Sequence, residues 1–283
     1  MNSFRILAQF HFHPLFWLVI ALGIMTARFQ ELILLFVIVF FHELGHAFAA
    51  SFFSWRIRRI MLLPFGGVAE FDEHGNRPLL EETVVILAGP LQHLWMLFFA
   101  FLLHAGSFLS DGLYEKICSF NWMILLFNCL PILPLDGGRL MLVLFAKISP
   151  YILALRRAIL CSLLFLSVYA LSILLIFPYH LNAWLITVFL AISLYREWKD
   201  QPYVFMRFLL ERYERKGESY LFQRETNLRV RPEETVYNIV KKFQKGKRHT
   251  VILTGGQKIK EVTLLEAFFD GNSRQKPIIE LLS

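Results

Sequence analysis

Apolar blocks of about membrane length fill the first 200 residues of this chain, and they constrain its fold more than any other feature. Hydrophobic residues make up 56% of the 283 positions and charged residues only 18%. That is too little charge for a water-soluble domain of this size. The sequence therefore predicts an α-helical polytopic membrane protein.

We predict six transmembrane helices, of which the fourth is interrupted by Pro131 and Pro134. Basic residues cluster in segments 54–81 and 147–157 and again after residue 196, so both termini and segment 54–81 are predicted to be cytoplasmic. A spanning helix needs roughly 20 residues, so the first predicted span is short. The spans fall at about residues 14–27, 31–53, 82–104, 117–148, 156–177 and 181–196.

The segment between the second and third spans has the composition of a β-hairpin lying at the membrane surface. Two strand-like runs flank a turn at Pro64–Gly67. Two interpretations stay open. The hairpin is either a bare connection or a sheet edge that accepts an extended peptide.

The end of the chain differs in charge from the rest. Residues 201–283 carry 16 Lys/Arg and 10 Asp/Glu, whereas residues 1–200 carry 13 and 12. This predicts an aqueous module whose basic balance suits anionic lipid, while its mixed signs give no argument for nucleic acid. We therefore divide the chain into a membrane domain (1–200), a linker helix (201–221) and a small cytoplasmic α+β module (222–283).

A zinc-type motif lies inside the second predicted span. His42 and His46 are spaced i, i+4, so one helix face presents both imidazoles to one point. This arrangement suits tetrahedral zinc. Glu43 lies one residue along, rotated by about 100°, and can reach a water at the metal without being a ligand.

Asp136 is the best candidate for a third ligand. A catalytic zinc takes three protein ligands and keeps one position open. Glu43 and Asp136 are the only acids well inside the predicted spans, and a lone acid there costs roughly 2.5–3.5 kcal/mol on insertion scales. Ligation removes that objection. The expected reaction is metal-assisted peptide hydrolysis with Glu43 as general base.

Other polar residues leave alternatives open. Asn128 either orients a substrate backbone or makes an interhelical hydrogen bond, and Pro134 is a second candidate substrate contact in the same broken segment. His93 either lies near the site or is a structural hydrogen-bonding residue. A metal or ion transporter with a path lined by His and Asp is the rival function. The intact Glu43 and the absence of repeated halves favour the hydrolase.

These motifs resemble the site-2 protease family of intramembrane zinc metalloproteases. The family pattern is H-E-x-x-H in one span and N-x-x-P-x-x-x-L-D-G in a later one. This chain matches every fixed position, at His42–His46 and at Asn128–Gly137. The resemblance implies that His42, His46 and Asp136 hold one zinc ion and that Glu43 is catalytic. One departure is His93, where many family members carry Asn.

Within the family, the chain is similar to a subset from endospore-forming bacteria with a C-terminal CBS-type module. The resemblance implies a membrane-tethered substrate, the precursor of the sporulation sigma factor sigma-K, cut near its pro-sequence. It also implies inhibitory membrane partners and a location in the mother-cell membrane surrounding the forespore. The CBS-type module would bind ATP or another adenine nucleotide, through residues that the sequence does not identify. A single such unit implies a homo-oligomer.

Overall fold

The computed structural model describes residues 10–12, 29–55, 57–63, 66–71, 76–214, 224–270 and 274–281. The first predicted span, about 14–27, lies outside these ranges. The described residues form the helices α1 Phe29–Phe52, α2 Leu79–Ala105, α3 Asp111–Asn128, α4 Asp136–Ile148, α5 Tyr151–Ile176, α6 Leu181–Glu214, α7 Val236–Val240 and α8 Glu261–Phe269. The strands are β1 Phe10–Phe12, β2 Ile57–Leu63, β3 Gly66–Phe71, β4 Arg224–Val230, β5 Lys247–Leu253 and β6 Lys258–Lys260.

Three of the described helices are long and apolar enough to cross a membrane, namely α1, α2 and α5. They coincide with the second, third and fifth predicted spans. Large side chains such as Trp95, Phe99 and Leu164 are exposed on their outer faces. Apolar surface of this extent is typical of a face that meets another apolar phase, so these faces fit a bilayer.

The predicted fourth span is two helices rather than one broken helix. The α3 helix ends at Asn128 and α4 begins at Asp136. Pro131 and Pro134 lie between them. Proline has no backbone N–H and disfavours helical geometry in the residue before it. The chain between the two helices is therefore free to run irregularly and to aim Asp136 inward.

The described part of the predicted linker helix, residues 201–214, is continuous with the sixth predicted span. The α6 helix runs for 34 residues and passes through Pro202. Proline inside a helix costs about 3 kcal/mol. Burial of Phe205, Phe208 and Leu209 in the core offsets that cost, because a fully buried apolar side chain contributes about 1.5–3 kcal/mol.

The predicted hairpin is present as β2 and β3, which pair antiparallel. Gly66 and Gly67, which were predicted to lie in the turn, belong to β3 and pair with Leu63 and Leu62, while Pro64 and Phe65 lie outside the described residues. β1 adds to the outer edge of β2 in parallel, a pairing that the sequence did not predict. The sheet order is therefore β1-β2-β3.

The C-terminal module has a second three-stranded sheet, in the order β4-β5-β6. β4 and β5 run parallel, with α7 between them in sequence, and β6 is antiparallel to β5. The core of the module is continuous with the start of α5, since Tyr151 and Ala154 belong to the same buried cluster as Phe243 and Phe268.

Two helices meet closely at the zinc-type motif. A Cβ atom on Gly45 of α1 would collide with the Ala88 carbonyl and the Gln92 side chain of α2. Glycine is thus required at position 45 for the two backbones to approach each other. This approach brings α2 against the face of α1 that carries His42 and His46.

Candidate metal centre

Two imidazoles of α1 converge inside the helix bundle. His42 and His46 are both buried, and their Nε2 atoms lie 3.1 Å apart. The i, i+4 spacing on a continuous helix produces this pairing directly.

Asp136, the first residue of α4, completes a three-residue cluster. Its Oδ2 atom lies 3.1 Å from Nε2 of His42 and 3.2 Å from Nε2 of His46. These three residues form a group able to hold a metal ion. A carboxylate in the first turn of a helix is also favoured by the partial positive charge at that end.

The irregular segment 129–135 holds Asp136 in position. Side chains on Gly137 or Gly138 would collide with the backbone of this segment. The backbone N–H of Leu133 donates a hydrogen bond to Ser162 Oγ on α5, at 3.0 Å. The two glycines therefore let the start of α4 pack tightly on the segment, and α5 anchors it.

The second nitrogen of each imidazole has its own partner. His46 Nδ1 donates to the Val85 carbonyl on α2, at 2.8 Å. His42 Nδ1 lies 3.1 Å from Nε2 of His93, also on α2. Metal-ligating histidines typically use their other ring nitrogen in this way, which fixes the orientation of the ring.

One buried oxygen in the cluster indicates a cation. Among the described residues, Asp136 Oδ2 has no hydrogen-bond donor. The two Nε2 atoms that approach it belong to His42 and His46, and the Nδ1 atom of His46 is the one that donates, to the Val85 carbonyl. An unpaired buried carboxylate oxygen is costly. Ligand atoms about 2.0–2.1 Å from a tetrahedral zinc lie roughly 3.3 Å apart, so the observed spacings fit that ion.

Glu43 is buried beside His42 on α1 but does not belong to the cluster of ligand atoms. That position differs from that of a ligand and suits a group that acts on a nearby water.

The two candidate substrate contacts lie near Asp136 in sequence. Asn128 is the last residue of α3, and its amide Nδ2 donates to the Ile124 carbonyl one turn earlier, at 3.0 Å. This hydrogen bond lies within one helix, so it differs from the interhelical bond that we considered. Pro134 is half-buried, two residues before Asp136.

Sequence reasoning missed three features that surround the imidazoles. A side chain on Gly89 of α2 would collide with the rings of both His46 and His42. Asn121 of α3 contacts His93. A buried polar residue in an apolar helix is a signal that was available for Asn121, whereas the Val85 carbonyl carries none, because every residue has one.

Known proteins resemble this chain over part or almost all of its length. The family model "Peptidase family M50" matches residues 30–117. Stage IV sporulation protein FB of Bacillus subtilis strain 168 is 41% identical over 281 residues, which cover 98% of this chain and 97% of that protein. A zinc metalloprotease of Methanocaldococcus jannaschii is 35% identical over 125 residues, covering 42% of this chain and 35% of that protein.

A solved structure of a site-2 protease also matches this chain. The site-2 protease from Methanocaldococcus jannaschii superposes with a TM-score of 0.53 at 29% identity, covering 66% of this chain and 89% of that one. The expectation of an intramembrane zinc metalloprotease is confirmed. The chain belongs to peptidase family M50, the site-2 protease family.

Proposed function

We propose that this chain is an endopeptidase that cuts a membrane-associated precursor protein, with His42, His46 and Asp136 as its zinc ligands and Glu43 as its general base. The observation that carries the proposal is the buried convergence of two Nε2 atoms and one carboxylate oxygen within 3.2 Å of one another.

Each proposed residue has a defined task. Zinc, when bound, lowers the pKa of water and polarises the scissile carbonyl. Glu43 accepts the proton of the attacking water and passes it to the leaving amine. Asn128 and Pro134 border the segment that leads to Asp136, and we propose that they orient the substrate backbone there.

The first test compares Glu43→Gln with the full-length wild type in detergent micelles. We expect cleavage of a membrane-tethered substrate to fall by at least 10²-fold, with zinc content unchanged. Glu31→Gln is a matched control at a partly exposed position on the same helix, where the side chain pairs with Lys116, and it should keep wild-type activity. Loss of zinc from Glu43→Gln would contradict its assigned role, and retained cleavage would contradict the mechanism. A chelator should inhibit the wild type.

We propose that the substrate is a sporulation sigma factor precursor, that of sigma-K, and that the enzyme acts in the mother-cell membrane around the forespore. The support is the 41% sequence identity to stage IV sporulation protein FB, which extends over almost the whole of both chains. Co-expression with candidate sigma-factor precursors, beside a Glu43→Gln control, tests this directly. A precursor that stays uncut in the presence of active enzyme is not the substrate.

We propose that the chain spans the membrane six times and that both termini are cytoplasmic. We also propose that residues 222–283 form a CBS-like module that binds ATP or another adenine nucleotide. The order β4-α7-β5-β6-α8 supports a module of this kind. We further propose that the module mediates homo-oligomer formation and that membrane proteins inhibit the enzyme. Binding of ATP to the full chain, and the dependence of cleavage on ATP, test the regulatory part. Accessibility of single cysteines at each terminus tests the topology.

A further inference from the structure

A line of three buried side chains from three helices ends at the proposed metal centre. Asn121 of α3 and His93 of α2 are both 0% exposed, and His42 of α1 is 3% exposed. Asn121 Oδ1 lies 3.0 Å from His93 Nδ1. His93 Nε2 lies 3.1 Å from His42 Nδ1.

The hydrogen bonds along this line have one direction. The Asn121 amide Nδ2 donates to the Ile117 carbonyl, at 2.8 Å, and this fixes which end of the amide faces His93. Oδ1 can only accept, so His93 Nδ1 carries the hydrogen. A neutral imidazole has one N–H, so His93 Nε2 is an acceptor and His42 Nδ1 must donate to it.

The tautomer of His42 follows from this direction. With the hydrogen on Nδ1, the lone pair of His42 lies on Nε2, the atom that faces His46 and Asp136. The opposite tautomer would aim an N–H at the place of the metal. Reversing the Asn121 amide would reverse every hydrogen bond that follows it.

We propose that Asn121 and His93 are positioning residues that hold His42 in its metal-binding tautomer and ring orientation. This inference rests on the proposed zinc ligands. The two histidine ligands differ in this respect. A backbone carbonyl orients His46, and no substitution removes that group, whereas two replaceable side chains orient His42.

A merely structural role for His93 predicts different results from matched variants. His93→Gln keeps a hydrogen-bond acceptor near the position of Nε2, whereas His93→Phe keeps a ring and removes the acceptor. At the other residue, Asn121→Asp keeps an acceptor oxygen and Asn121→Leu has similar volume without one. If only packing matters, His93→Phe should be tolerated better than His93→Gln. If the hydrogen bonds from Asn121 through His93 to His42 matter, His93→Gln should be tolerated better than His93→Phe.

The experiment measures zinc affinity by chelator competition in the full-length chain, in the Glu43→Gln background so that self-cleavage and turnover play no part. We expect His93→Phe and Asn121→Leu to weaken zinc binding by about 10- to 100-fold, the usual effect of removing the partner of a ligating histidine. His93→Gln and Asn121→Asp should stay within a few-fold of the parent. Circular dichroism checks that each variant is folded.

Two outcomes would overturn the positioning role of Asn121 and His93. One is unchanged zinc affinity in folded Asn121→Leu and His93→Phe. The other is an equal loss of zinc affinity in the variants that keep the acceptor and in those that lack it. If His93→Phe does not fold, the Asn121 pair decides alone, because these changes lie one residue further from the ligand. Failure of the ligand assignment has a separate signature. The parent chain itself would then bind no zinc, or would bind it equally after Asp136→Asn.

Discussion

At the residue scale, the proposed centre depends as much on missing side chains as on ligands. Gly89 lies against both imidazoles, and Gly137 and Gly138 let the start of α4 pack on the segment before it. A glycine in a helix costs about 1 kcal/mol relative to alanine. Only glycine fits at position 89, because α2 approaches the two rings so closely there.

Gly89→Ala should therefore damage the centre although it improves local helix propensity. The added methyl group would force the rings of His46 and His42 to move, and such overpacking costs about 1–3 kcal/mol. If that cost falls on the metal-bound geometry, zinc affinity drops by about 5- to 150-fold. Chelator competition on the purified chain measures the change.

Gly112→Ala is the matched control for this substitution. A Cβ atom there meets nothing within 4 Å, so zinc affinity should be unchanged and stability unchanged or slightly higher. Wild-type zinc affinity in Gly89→Ala would show that the rings can give way without cost.

At the scale of elements, α2 links the C-terminal module to the proposed centre. One face of this helix carries Glu82, Val85, Gly89 and His93, at intervals of three to four residues. Glu82 forms an ion pair with Lys245 of the module. The other three contact His42 or His46. The same face of α2 therefore contacts both the module and the two imidazoles.

The ion pair between Glu82 and Lys245 should stabilise the docked module. The Lys245 side chain is 3% exposed and that of Glu82 is 17% exposed, so each charge is costly without the other. We expect Glu82→Gln or Lys245→Met alone to destabilise the protein by roughly 1–3 kcal/mol. The double variant should lose less than the sum of the two single losses.

Thermal unfolding of the four chains in one detergent measures this coupling. The pair of Lys116 with Glu31 is an exposed control, and it should couple by less than about 1 kcal/mol. Additive losses at Glu82 and Lys245 would mean that the two charges do not stabilise docking.

At the scale of the whole molecule, sequence reasoning succeeded where residue type carries the information. The spacing of His42 and His46 on a helix, and the cost of an unpaired Asp136 in an apolar segment, were sufficient to expect the three together. The parallel addition of β1 was not predictable, because three residues carry too little pattern. The continuity of α6 through Pro202 was missed, because the packing of Phe208 that outweighs the proline is a tertiary effect.

The C-terminal module also shares a buried polar cluster with α6 and the segment before α2, which should make docking sensitive to pH. Arg212 of α6 binds Glu261 at 2.7 Å and Asn76 at 2.9 Å, the latter just before α2. His249 completes the cluster. Its Nε2 accepts a hydrogen bond from the Gln244 backbone N–H, at 3.1 Å, so this nitrogen has no room for a proton of its own.

Burial and then the charge of Arg212 lower the pKa of His249 below its ordinary value of 6.5, although the hydrogen bond to Glu261 opposes them. As the pH falls through 6.5, the unfolded chain takes up a proton at this histidine before the folded chain does. The contribution of His249 to the free energy of unfolding is therefore fully present above about pH 7. It is lost as the pH falls, by at most about 1.4 kcal/mol per pH unit for one proton. Burial opposes ionisation of Glu261, but Arg212 still lowers the pKa of that carboxyl. Its contribution is therefore lost only at lower pH.

We expect the thermal midpoint of the wild type to fall between pH 7.5 and pH 5.5. His249→Gln, which keeps an acceptor for the Gln244 N–H but does not titrate, should flatten that dependence even if its midpoint at pH 7.5 is lower. His180→Gln, at an exposed position, should keep the wild-type slope. If the thermal midpoint of His249→Gln depends on pH as steeply as that of the wild type, other groups cause the acid sensitivity. The cluster would then stabilise the contact between the module and α6 independently of pH.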